Sequence, residues 1–94
     1  MLNQIFIEGY VNSEVARKIS HINKPYANFS IKVVPEDNPP FYCRCFISGL
    51  NYKEMNGIVK GDKIRIKGSI HSTLLHDGTY GKQIEVSKVE KLEE

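Results

Sequence analysis

Apolar side chains recur at every second residue through most of this chain, and the 3.6-residue period of a helix is nearly absent. That pattern commits the chain to strands that each bury one face. In the first run, residues 4–11, Ile5, Ile7, Gly9 and Val11 share one side, and Phe6, Glu8 and Tyr10 share the other. A second side that carries aromatic rings calls for a cover, either a ligand or another subunit. The pattern fades after Ser13, which predicts a curved continuation to about Ile19 and a polar turn at residues 21–25.

The second run, residues 26–34, puts Ala27, Phe29, Ile31 and Val33 inside, with Tyr26, Asn28, Ser30 and Lys32 outside. Pro35, Pro39 and Pro40 then break any ladder and predict a loop. The third run, residues 41–48, sends Cys43, Cys45 and Ile47 one way and Tyr42, Arg44 and Phe46 the other. Residues 49–60 are the one helix candidate, with Leu50, Met55, Ile58 and Val59 as its apolar side and Gly61 at its C-terminal end. The fourth run, residues 63–71, buries Ile64, Ile66, Gly68 and Ile70, and exposes Arg65, Lys67, Ser69 and His71. Asp77-Gly78 predicts a hairpin turn, and residues 80–92 a fifth strand that bulges near Ser87. The expectation is an all-β chain: one five-stranded OB-fold barrel over residues 1–94, with one short helix between strands 3 and 4. Glycines inside strands, at Gly9 and Gly68, predict sharp bends or close backbone approach.

With 94 residues the chain is one domain with a modest core, so subunit association is an expected source of stability. No apolar run approaches the roughly 20 residues of a membrane helix, and the start has no secretory character. A cytoplasmic, membrane-free protein is expected. Cys43 and Cys45 point the same way along a strand, which suits neither a disulfide with each other nor a zinc site. They read as reduced thiols packing as small hydrophobes. The net charge is +2, yet the acids concentrate in residues 85–94; the first 84 residues hold 11 Lys and Arg against 7 Asp and Glu. A modestly basic surface suits a polyanion.

The segments Leu2-Asn3-Gln4-Ile5-Phe6-Ile7-Glu8-Gly9, Ala27-Asn28-Phe29-Ser30-Ile31, the stretch 41–49 and the stretch 59–70 together resemble the bacterial single-stranded DNA-binding protein family. Most specific is 59–70: a helix end, a Lys-Gly-Asp turn, and a strand patterned I-x-I-x-G-x-I. Three departures stand out. The family stacks bases on tryptophans, and this sequence has none. It usually carries a long tail with an acidic-hydrophobic tip, whereas the Glu93-Glu94 end is acidic without the length or the hydrophobic residue. Its loop after the second strand is longer. The sequence therefore resembles a short, tailless form, such as a phage or mobile-element relative or the primosomal replication protein of this fold.

Nonspecific strand binding needs cations along the phosphates and flat rings under the bases. Tyr42, Arg44 and Phe46 offer both on one face, and the resemblance places a stacking ring at Tyr42 and a basic residue at Arg44. Further candidates are Arg65, Lys67 and His71 on the fourth strand, and Tyr80 and Lys82 in the hairpin. Tyr26 and Lys18, with Arg17 and Lys24, flank the first loop. The resemblance implies that the first strand pairs subunits into a homodimer or homotetramer, with Phe6, Glu8 and Tyr10 at that interface and Tyr10 also open to a ligand. His21, His71 and His76 lack a metal-ligand spacing, and no nucleophile motif or phosphate-cradling loop is present. No enzyme activity, metal or cofactor is expected. The expected function is sequence-nonspecific binding of single-stranded DNA, with RNA as an alternative ligand. A second class of reading is a protein-interaction adaptor for replication proteins, with the aromatic face buried against a partner.

Overall fold

The computed structural model describes residues 3–92; Leu2 of the first matching segment and the acidic pair Glu93-Glu94 lie outside the described residues. The alternating runs become β1 (Ile5–Val11), β2 (Ala16–Ile19), β3 (Pro25–Val33), β4 (Phe41–Ser48), β5 (Lys63–Leu74) and β6 (Tyr80–Lys91). The continuation expected after the first run is β2, a separate edge strand paired with β3. The other five close a ring in the order β1-β5-β6-β4-β3, shut by a second pairing of β1 with β3. This ring, with a short helix between β4 and β5, is the OB-fold arrangement.

Alternation decides what the ring encloses. Val11, Ala27, Phe29, Ile31, Cys45, Ile47, Ile64, Ile66, Ile84 and Val86 are buried from the strands, and Met55 and Ile58 plug the barrel from the β4–β5 connection. No polar or charged side chain is buried among the described residues. The Cys45 thiol is one of the core groups, its pKa pushed up to about 12, first by burial and then by Cys43 nearby. Such a thiol stays protonated and inert at neutral pH. Cys43, half-buried, is raised in the same direction by burial.

Two closures are tight. β1 pairs β5 along its length but meets β3 only at Tyr10 and Val11, opposite Lys32 and Ile31. There a Cβ on Gly9 would lie 2.6 Å from the Lys32 carbonyl oxygen. At Gly68 a Cβ would run into the Glu85 carbonyl. The β5–β6 register slips at this point, leaving Ser87 unpaired in the ladder, and its hydroxyl donates to the Lys67 carbonyl at 3.1 Å. The close approaches and the bulge expected near Ser87 are both present.

Three expectations are corrected. The helix is a 3-10 helix over Gly49–Met55 and does not reach Lys60. Asn56 turns extended and Gly57 follows with φ 79°, which ends it. Met55 and Ile58 are buried as expected, whereas Leu50 (91% exposed) and Val59 are not. Second, Gly61 serves a turn rather than a helix end, donating to the Val11 carbonyl at 2.8 Å. Third, Ile70 is 40% exposed, because β5 beyond Ser69 leaves the barrel with β6 as a projecting hairpin. The Asp77-Gly78 turn closes that hairpin, with the Thr79 amide and hydroxyl both donating to Asp77 Oδ1. Those bonds hold the Asp77 carboxyl below its ordinary value. Among the described residues no helix is long and apolar enough to cross a membrane.

Gly9→Ala and Gly68→Ala should each lower stability by about 1–3 kcal/mol, the usual range for overpacking. Urea denaturation followed by circular dichroism measures this; an unchanged midpoint for both would show that the closures are not tight.

Candidate nucleic-acid interface

The outer faces of β3 and β4 are read from their register. Tyr26 lies opposite Ser48, Asn28 opposite Phe46, Ser30 opposite Arg44, and Lys32 opposite Tyr42. Directly opposed residues share a face, so these eight form one outward surface. Lys18 on β2 pairs with Tyr26 and joins it at the edge. The Tyr26 and Phe46 rings sit 5.9 Å apart at 42°, and Tyr42 is 61% exposed.

Arg44 stands at the centre. It lines a hollow of about 520 Å³ that also takes in Ser13, Glu14, Asn28, Ser30, Thr73 and His76. It lines a second hollow, about 500 Å³, at the open mouth of the barrel with Tyr42, Ile5, Ile70, Lys82 and Ile84. The β5–β6 hairpin and the β1–β2 connection thus wall the Arg44 face on two sides. Among the described residues Arg44 has no carboxylate partner. A third hollow of about 330 Å³ lies past Phe46, lined by Ile22, Lys24 and Tyr26.

Other candidates are placed differently. Arg17 points to the barrel side of β2, where its Nη2 donates to the carbonyls of Met55 (2.9 Å) and Ile58 (3.0 Å). Its cation is spent holding the end of the 3-10 helix. Arg65 donates from Nε and Nη2 to Glu8 Oε1 at 2.9 and 2.5 Å, and pairs with Glu90 at 3.4 Å. These hydrogen bonds to Glu8 raise its pKa above the ordinary guanidinium value. His71 Nε2 lies 2.7 Å from Ser69 Oγ and 3.4 Å from Glu85 Oε2. The Lys67 ammonium sits 5.8 Å over the Phe6 ring, and Lys63 sits 5.9 Å over Tyr10. On this β1–β5–β6 wall Arg65 is thus matched by acids, whereas Lys63 and Lys67 lie over rings. Lys82 lines the mouth and approaches Ser72 Oγ at 3.4 Å, while Tyr80, 74% exposed, lines neither Arg44 hollow.

Sequence reasoning placed Lys32, Asn28 and Ser30 outward without giving them a role. The signal that would have found them is register, since each lies across from a candidate on β4. Thr73 and His76 reach the Arg44 hollow only because the hairpin folds beside it. Among the described residues no three His, Cys, Asp or Glu side chains are grouped to hold a metal ion.

Fold and surface together define a small OB barrel whose open face carries rings around a central arginine. The chain is similar in structure to the Plasmodium falciparum SSB complex with ssDNA, with a TM-score of 0.84 and 21% identity over 99% of this chain and 96% of that one. At that identity the likeness shows the OB-fold. The chain matches no protein-family model and no curated protein.

Arg17→Ala should destabilise the chain by about 1.5 kcal/mol, the low end for a hydrogen-bonded charged donor, given its exposure. Arg44→Ala should change stability by less than about 0.5 kcal/mol, as for other surface substitutions. Thermal melts of the two variants check the contrast; equal losses would refute the division of labour between the two arginines.

Proposed function

We propose that this protein binds single-stranded DNA without sequence preference and protects or organises exposed strands during replication, recombination or DNA transfer in the cytoplasm. The observation that carries the reading is the open surface around Arg44. A guanidinium with no ion-paired carboxylate among the described residues is flanked along β4 by Tyr42 and Phe46, with Tyr26 packed on the latter. Bases stack on the rings and the phosphates follow Arg44, Lys82 and Lys18. Stacking accepts every base, which is why no sequence preference is expected. The structural neighbour is described as a complex with ssDNA, which supports the same ligand here. RNA competes to the extent that stacking, rather than the sugar, sets affinity.

Titration of labelled dT oligonucleotides at two salt concentrations tests this. Binding should weaken with salt, because phosphate contacts release counterions. Tyr42→Ala should lose roughly 5- to 150-fold in affinity, the span of about 1–3 kcal/mol per stacked base. Arg44→Ala should shrink the salt slope by about 0.7, one phosphate on a single strand. No binding at low salt, or wild-type affinity in both variants, would remove the proposed face.

One observation favours an adaptor reading as a second choice. Ile19, Ile22 and Leu50 are 70%, 63% and 91% exposed. Ile22 lines the hollow beside Tyr26 and Phe46, a surface suited to a replication protein's apolar side chain. In that case substitution of Ile22 would abolish partner capture from nuclease-treated lysate and leave DNA titration unchanged.

We further propose self-association into a homodimer or homotetramer through the β1 wall. Phe6 is 64% exposed there, and the Glu8–Arg65 pair beside it supplies both signs of charge that a two-fold contact needs. Light scattering should give a multiple of 10.7 kDa; a monomer at micromolar concentration would defeat the claim.

A further inference from the structure

The barrel closure brings four side chains from four strands into one row. Lys63 on β5 lies opposite Tyr10 on β1, Tyr10 lies opposite Lys32 on β3, and Lys32 lies opposite Tyr42 on β4. Their chain neighbours Ile64, Val11 and Ile31 are buried, so the row points outward. It reads cation, ring, cation, ring. Neighbouring strands are about 4.8 Å apart, so the row spans about 14 Å of barrel wall.

We infer that this row is a second nucleic-acid track, which carries a polynucleotide from the Arg44 face across the β1–β3 closure toward β5. The inference rests on the single-strand reading above and extends it to Lys32, Lys63 and Tyr10. Tyr42 belongs to both surfaces and is where the strand turns from one to the other. Tyr10 takes a base, and Lys32 takes the phosphate between the two rings. The Lys63 ammonium now lies over the Tyr10 ring. Both groups are half-buried, and a base that stacks on the ring moves the ammonium onto the adjoining phosphate.

Charges on either side confine the path. Toward the β3–β4 loop lie Glu36 and Asp37, and along β1 lies Glu8, held by Arg65. On the opposite side of the row lies Arg44, two residues along β4 from Tyr42. Asp62, next to Lys63, is already engaged by the Val59 amide at 2.9 Å and by Lys91 at 3.6 Å. With Glu8 matched by Arg65, it is Glu36 and Asp37 that repel a polyanion from the loop side, and Arg44 that holds it on the other. This assignment leaves Phe6 and Glu8 to self-association and moves Tyr10 out of that interface.

The test compares two dT oligonucleotides, of about 4 and about 16 nucleotides, the lower and upper reaches of an OB barrel. Wild type and the variant Lys63→Gln are titrated across a salt series, with circular dichroism melts to confirm equal folding. On the longer strand the variant should lose about 0.7 of the salt slope, one phosphate's worth, while the shorter strand binds both proteins alike. Tyr10→Ser should weaken only the longer strand and leave the light-scattering mass unchanged. Equal slopes for both proteins on the longer strand would overturn the track while leaving the Arg44 face standing. Loss of the oligomer in Tyr10→Ser would return that ring to the subunit interface and overturn it too. Absence of wild-type binding to either strand would remove the single-strand reading and the track with it.

Discussion

Everything in this structure depends on β1 being paired on both edges at once. One strand bonded to β5 along its length and to β3 at Tyr10 and Val11 turns a sheet into a ring. Closure requires the β1 backbone to approach the Lys32 carbonyl more closely than any side chain permits, and Gly9 meets that need. Gly68 does the same across β5 and β6, where the bulge at Ser87 adds the local twist a small barrel requires. With the ring closed, every inward residue of five strands meets the others, and ten of them form a dry core with Met55 and Ile58 as its plug.

The outer wall is divided by the same closure. On the β1–β5–β6 side, Arg65 lies between Glu8 and Glu90, which neutralises it locally, while Lys63 and Lys67 lie over the Tyr10 and Phe6 rings. On the β3–β4 side no carboxylate among the described residues lies within ion-pair distance of Arg44, although Glu14 lines the same hollow, and rings stand on either side of it along β4. A net charge of +2 is too small to steer a polyanion by itself. What counts is that unneutralised cations and exposed rings coincide on one part of the surface. Arg17 shows that a basic residue at a loop need not belong to that surface, since backbone carbonyls claim it.

The hairpin beyond Ser69 links the two halves of this picture. β5 and β6 outrun the barrel, so Ile70 and Leu74 lose their cover and Thr73 and His76 come to stand beside Arg44. The extension gives the β4 face a wall and leaves the barrel mouth open beside Tyr42 and Lys82. The apolar rim at Tyr42 and Ile70 thus belongs to the open mouth of the barrel rather than to a faulty core.

Much was legible in the sequence because a strand's side chains alternate strictly. Once residues 4–11, 26–34, 41–48, 63–71 and 80–92 are read as strands, their inward and outward members follow without further knowledge. Hence the core of Ala27, Phe29, Ile31, Cys45, Ile47, Ile64 and Ile66, and the outward Tyr42, Arg44 and Phe46, could be written down beforehand. The short connection after β4 was less legible, because four apolar residues in twelve suit a helix until Asn56 and Gly57 break it. Alternation fixes a side chain's face and says nothing about its neighbour on the next strand. Register decided that Glu8 would meet Arg65, that Arg17 would reach the Met55 and Ile58 carbonyls, and that Lys63, Tyr10, Lys32 and Tyr42 would form one row. Those pairings are made across separations of 10 to 57 residues, and only the assembled sheet contains them.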